Sequence, residues 1–224
     1  MSPLKKSKIM KVWSGKTDLK GWVFFIIYVS RIKIRKLITN APIILFCKLK
    51  GVKVGTKTEI NGLPVIRRFP HSNISIGNNC IINSARNSIT LSLNKKCTFA
   101  TLRPESVILI GNNTGMTGTT IAATNKVVIG NNVLIGAYCT IVDTDFHDPD
   151  PSKRDTYSLT TKPVIIEDNV FLGMNCMILK GVTIGKNSVI GANSVVFNDI
   201  PANSLAFGNP CKLIVKRNWE ESSD

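Results

Sequence analysis

A spacing of six is the feature that most restricts how this chain can fold. Ile166, Leu172, Ile178, Ile184, Ile190 and Val196 recur at every sixth position without a slip. Two places before each of the last five stands a compact residue: Val170, Cys176, Val182, Ser188 and Ser194. The same register runs through Ile129, Ile135 and Ile141, preceded by Val127, Val133 and Cys139. It recurs at Ile76 and Ile82, with Cys80 in the small slot, and at Val54, Ile60 and Ile66. Six is neither the 3.6 of an α-helix nor the simple alternation of a half-buried strand. It suits a chain that makes a short strand, turns, and repeats, so that one aliphatic residue always returns to an interior line. Stacked turns then form parallel ladders around an apolar centre, a parallel β-helix. A β-sandwich would alternate with period two and turn roughly every 8–12 residues, which residues 164–196 do not do. Eight of the sixteen glycines (55, 77, 111, 130, 136, 173, 185 and 191) stand directly behind such an aliphatic residue. Their conformational freedom is expected to serve the corners.

The register is interrupted between Ile141 and Ile166. The intervening stretch is polar, holds His147 and several acids, and carries Pro149, Pro151 and Pro163. Proline argues against a hidden strand, so residues 143–163 are expected to form a loop extruded from the coil, the kind of place where function concentrates. A second irregular zone, residues 83–109, suggests a smaller excursion. These breaks divide the chain into a basic, partly helical arm over 1–50, a β-helix over 51–196, and a C-terminal extension over 197–224 that crosses the open end of the coil.

The net charge of +15 is concentrated at one end: residues 1–36 hold ten Lys or Arg against one acid, Asp18. A nucleic-acid surface is disfavoured, because the charge belongs to the arm and no stacking motif accompanies it. The six cysteines show neither CxxC nor Cys/His metal-ligand spacing. Cys80, Cys139 and Cys176 instead fill the small interior slot, as reduced thiols of a cytosolic protein. Two histidines in all exclude a three-histidine zinc site of the γ-type carbonic anhydrase kind. The longest apolar run, Trp22 to Val29, falls far short of the ~18 residues that span a bilayer. Basic residues follow it where a signal peptide would carry a cleavage site.

Five segments together resemble the hexapeptide-repeat acyltransferases, in particular the branch that acetylates sugars and polysaccharides. They are Ile129-Gly-Asn-Asn-Val-Leu-Ile-Gly136, Asp143-Thr-Asp-Phe-His147, Asp168-Asn-Val-Phe-Leu-Gly-Met174, Ile178-Leu-Lys-Gly-Val-Thr-Ile-Gly185 and Gly208-Asn-Pro-Cys-Lys212. The resemblance spans roughly residues 50–217 and implies an all-β, left-handed β-helix and a homotrimer. It also implies acetyl-CoA as co-substrate in the cleft between subunits, with no metal.

By the same resemblance His147 is the base that takes the proton from an acceptor hydroxyl. The chemistry agrees, since an alcohol is a poor nucleophile at neutral pH and histidine titrates near 7. Direct attack on the thioester then needs no covalent acyl-enzyme, and backbone donors are expected near the oxyanion. Asp145 either fixes the imidazole or touches the acceptor; Asp143 either closes the preceding turn or does likewise; either acid alternatively keeps the loop solvated. Arg154 and Tyr157 are candidates for the acceptor site. For the donor the resemblance points to Phe171, where many relatives carry Trp, and to Gly173, Met174 and Ala192. Relatives often have Thr-Lys where this chain has Phe197-Asn198, so a phosphate contact passes to Lys212, Lys216 or Arg217. His71 lacks any such context and is expected at the surface.

The expected acceptor is a hydroxyl of a saccharide, free or lipid-linked, as in surface polysaccharide synthesis. The alternatives are an amino-sugar N-acetyltransferase and a purely structural β-helix. The arm has two readings. Its aromatic-aliphatic block followed by a basic block suits the interface of an anionic membrane, at the inner face of a cytoplasmic enzyme's membrane. A helix that caps the coil or packs on a trimer neighbour suits it equally.

Overall fold

The computed structural model describes residues 18–86, 93–148, 150–154 and 160–216. The chain divides into two compact units, Met1–Leu37 and Ile38–Asp224. A helix, α1, runs through Leu19–Leu49. Asp18 caps it, its carboxylate accepting from the Gly21 amide at 2.8 Å.

The second unit is a three-sided parallel coil. One side stacks Val52–Val54, Asn73–Ile76, Val107–Ile110, Lys126–Ile129, Val164–Ile166 and Thr183–Ile184. The next side begins at Glu59–Asn61 and descends through Ile81–Asn83, Gly115–Thr117, Leu134–Ile135, Phe171–Leu172 and Val189–Ile190 to Ser204–Phe207. The third stacks Val65–Arg67, Thr98–Thr101, Thr120–Ala123, Thr140–Val142, Met177–Ile178 and Val195–Val196.

Each side sends one unbroken line of side chains inward. Ile76, Ile110, Ile129, Ile166 and Ile184 are successive register partners. So are Ile60, Ile82, Met116, Ile135, Leu172, Ile190 and Ala206, and Ile66, Phe99, Ile121, Ile141, Ile178 and Val196. Nearly all are sealed from water, each such side chain contributing about 1.5–3 kcal/mol of transfer free energy. The period of six thus becomes three interior columns.

The glycines behind the aliphatic residues do a different job from the one expected. None of the eight has positive φ. The left-handed corner lies two residues later and is usually an asparagine: Asn79, Asn113, Asn132, Asn175, Asn187 and Asn193 all have φ between 55° and 61°. Asparagine tolerates this region because its short side chain bonds locally. Here it also bonds along the stack, as in Asn169 to Asn187 at 3.0 Å and Asn175 to Asn193 at 2.8 Å. The glycines are needed because successive coils touch through their backbones. A Cβ at Gly111 would lie 2.5 Å from the carbonyl of Gly130, and one at Gly173 would lie 2.5 Å from the Ala192 nitrogen.

Two expectations about the course of the chain change. Residues 83–109 are not an excursion as a whole: Cys97, Phe99 and Ile108 enter the core, and Phe99 belongs to the third column. The coil does not end at Val196, since Ile200 bridges Ile184 in parallel and Ala206 extends the second column. Departure comes only after Phe207, when Lys212–Lys216 folds back antiparallel. At the other end, residues 38–49 cover the first coil. Ile43 and Cys47 join the core, and the Asn40 side chain accepts from the Ile60 amide at 2.7 Å and donates to the Thr58 carbonyl at 3.3 Å. It replaces the strand that an open edge lacks.

Candidate active site

The long loop leaves at the corner where the third side would turn into the first, after Thr140–Val142, and re-enters at Val164. Its neck is fastened to the coils before and after it. Asp143 is completely buried, and its carboxylate accepts the amides of Thr124, Asn125 and Lys126, each at 2.7 Å. Its carbonyl accepts from the Lys162 amide at 3.0 Å and the Thr161 hydroxyl at 2.8 Å, while Thr144 and Thr161 form an antiparallel bridge. The Gly181 amide in turn donates to the Lys162 carbonyl at 3.0 Å. Of the roles open to Asp143, this geometry speaks for closing the turn. A sealed carboxylate with three amide donors has no face left for an acceptor.

Asp145 stands at the top of the neck, its Oδ2 in an ion pair with Lys180 Nζ. Both side chains are partly exposed, so the pair adds at most about 1 kcal/mol to stability. Its effect is positional: it ties the loop two residues before His147 to the corner at Lys180-Gly181. Phe146 follows in the left-handed region at φ 63°, an uncommon conformation for an aromatic residue. His147 is exposed on this corner of the single chain. Further along, Asp150 caps a short 3-10 turn, Pro151–Lys153, and Arg154 is exposed at its C-terminal end. Tyr157 lies outside the described residues, as does Arg217.

The residues expected to meet the donor gather at a different corner, between the second and third sides. Gly173, Met174 and Asn175 stack directly on Gly191, Ala192 and Asn193: the Asn193 amide donates to the Met174 carbonyl at 2.8 Å. Met174 and Ala192 are exposed, and Phe171, two residues earlier on the second side, is 41% exposed. Phe171 sits under Leu134 and above Val189 in register, so the outer face of this side carries an apolar ladder where Leu134 is 55% exposed. Lys212 is exposed on the antiparallel strand after this coil. One chain therefore brings Phe171, Gly173, Met174 and Ala192 together and holds His147 on another edge of the prism.

Five of the six cysteines are buried, and the Cys139 sulfur beside it holds Cys176 below the usual thiol value. Burial pushes Cys47 and Cys97 up to about 11, and the Cys176 sulfur together with burial pushes Cys139 up as well. The Cys80, Cys139 and Cys176 sulfurs donate to the carbonyls of Gly111, Gly173 and Gly191 at 3.1–3.2 Å. Thr58 and Thr114 make the same bond from the same slot. Among the described residues no group of three or more His, Cys, Asp or Glu could hold a metal ion. Lys180 is not among the site residues expected from the sequence. Only its partner across the corner distinguishes it, and nothing in the local pattern marks a pair 35 residues apart.

Residues 126–142 and 163–198 match the family described as the hexapeptide repeat of succinyl-transferase, and the loop falls between the two matched segments. The chain is 46% identical over 103 residues to a galactoside O-acetyltransferase of Lactococcus lactis, covering 46% of this chain and 48% of that protein. It is 43% identical over 95 residues to the galactoside O-acetyltransferase of Escherichia coli, covering 42% of this chain and 46% of that protein. The match thus spans about half the length of these curated relatives. The crystal structure of a hexapeptide-repeat containing acetyltransferase from Vibrio cholerae superimposes with a TM-score of 0.50 at 26% identity, covering 84% of this chain and 89% of that one.

Proposed function

We propose, for a chain that belongs to the hexapeptide-repeat acyltransferase family, that it moves an acetyl group from acetyl-CoA to a hydroxyl of a saccharide, with His147 as general base. The observation that carries this reading is the fastened neck. A buried carboxylate, a bridge between Thr144 and Thr161, and an ion pair together hold a short loop segment that ends in an exposed imidazole. A loop that served only to fill space would not need ties to coils on both sides of its exit. The galactoside O-acetyltransferases that match along slightly less than half their length support the acceptor class.

In this reaction the acceptor O–H gives its proton to His147 while the oxygen bonds to the thioester carbonyl carbon. The C–S bond breaks as the tetrahedral centre collapses, and the imidazolium returns its proton to the departing thiolate. The apolar surface around Phe171 and the exposed corner at Met174 and Ala192 suit the pantetheine arm. Lys212 supplies positive charge for phosphate. Because that corner and His147 occupy different edges of one chain, the reading includes a homotrimer in which one subunit presents the base and its neighbour the donor. The exposed ladder of Leu134 and Phe171 is the kind of apolar surface such a seam covers.

Substituting His147 by Ala is expected to lower acetyl transfer by about 10²–10⁴-fold, the usual contribution of a general base. Thiol release from acetyl-CoA, followed over a panel of hydroxyl and amino sugars, gives the rate. CoA binding by calorimetry should stay within about twofold, since His147 meets the donor only at its reacting sulfur. Equal turnover by the variant overturns the assignment of His147. Transfer confined to amino sugars replaces the O-acetyl reading by the N-acetyl one.

A further inference from the structure

The first part of α1 is explained by neither the coil nor the site. The capping of the first coil is already performed by Asn40, Ile43 and Cys47. We propose that residues 19–37 seat the protein on an anionic phospholipid surface, inserting the Trp22–Tyr28 band into one leaflet.

From Gly21 to Ser30 no residue carries a charge, and Trp22 to Tyr28 are seven large apolar residues in succession, each exposed by 42–72%. At 3.6 residues per turn, seven consecutive residues point to every side of a helix. A second copy of the chain, or a partner helix, would cover one stripe and leave the others in water. Hydrocarbon covers all of them.

Length sets the depth. The ten uncharged residues rise about 15 Å, half of the roughly 30 Å hydrocarbon core. Among the described residues no helix is long and apolar enough to cross a membrane, so the band lies along one leaflet, beneath the headgroups, with both charged ends at the surface. Charge sets the kind of lipid. Lys20 precedes the band and Arg31, Lys33, Arg35 and Lys36 follow it, with five more lysines in residues 5–16. The single acid of this stretch, Asp18, is occupied as the helix cap. Cations that bracket an apolar band meet phosphates at the headgroup level, and their attraction to anionic lipid adds to apolar burial. Seating of this kind would favour lipid-linked acceptors, a consequence that rests on the acetyl-transfer reading, whereas the seating itself does not.

The test uses the full chain with Trp13→Phe and Trp219→Phe, which leaves Trp22 as its sole tryptophan. Vesicles of equal parts phosphatidylglycerol and phosphatidylcholine are compared with phosphatidylcholine alone. Cosedimentation should be about tenfold or more stronger with the anionic vesicles and weaken with salt. Trp22 emission should shift to the blue and be quenched by brominated acyl chains. A second variant, Phe24→Asp with Ile27→Asp, should lose cosedimentation while keeping the thermal transition of the β-helix and CoA binding. Protein that stays in the supernatant with anionic vesicles overturns the proposal. So does cosedimentation without quenching, which means attachment by charge alone, and so does Trp22 shielded by self-association without lipid.

Discussion

Asp143 and Asp145, two positions apart, show how burial separates the tasks of like residues. Asp143 is sealed and spends its carboxylate on three amides, so it sets where the loop begins. Asp145 is partly exposed and meets Lys180, so it sets where the loop points. The second effect should be visible in turnover more than in stability. Lys180→Met is expected to lower kcat by about tenfold, because displacing a base by a fraction of an ångström is costly to rate. Its thermal midpoint should stay close to that of the parent, since the pair is exposed. Exchanging the charges, Asp145→Lys with Lys180→Asp, should recover part of the lost kcat. A charge exchange no better than the single variant would show that Asp145 acts directly on His147 or the acceptor. His147 was legible from its motif alone. Lys180 was not, because its meaning depends on a corner formed by two coils distant in sequence.

At the scale of the element, the coil separates two demands that the sequence places side by side. The glycine provides room for the coil below it, and the asparagine two residues later provides the left-handed bend. These demands can be tested independently in one corner. Gly111→Ala places a methyl group 2.5 Å from the Gly130 carbonyl and should cost about 1–3 kcal/mol, the range for overpacking a close-packed interior. Asn113→Gly keeps the bend at φ 56° and loses the 3.0 Å bond to Asn132, so it should cost less than about 1 kcal/mol. Thermal or urea unfolding of the two variants gives the order. A costlier Asn113→Gly would restore the view that backbone freedom is what the glycines supply. The corners of the regular coils were plain from the period of six. Which residue of the corner does the bending was not, since Gly and Asn both favour turns and only φ tells them apart.

At the scale of the whole molecule, one chain keeps the two halves of the proposed site apart. His147 is on the edge between the third and first sides, and the corner at Met174 and Ala192 is on the edge between the second and third. If the working site joins halves from neighbouring copies, two inactive proteins can complement each other. His147→Ala and a donor-corner variant such as Met174→Arg should each be nearly inactive alone. Co-refolded in equal amounts, they should regain a measurable fraction of wild-type turnover, on the order of a quarter if subunits mix at random and intact half-sites work independently. Sedimentation should report a trimer throughout. No recovery from a mixed trimer would mean that each subunit completes its own site. The sequence by itself determined the coil, its interior columns, the extruded loop and the candidate base, because those follow from a local period and a contiguous motif. Only the tertiary structure decided that residues 83–109 largely rejoin the coil, that it continues past Val196, that Asp143 is spent on a turn, and that base and donor corner occupy different edges. Such facts depend on which residues stack across a turn of the coil, and that pairing exists only once the chain has closed around its three sides.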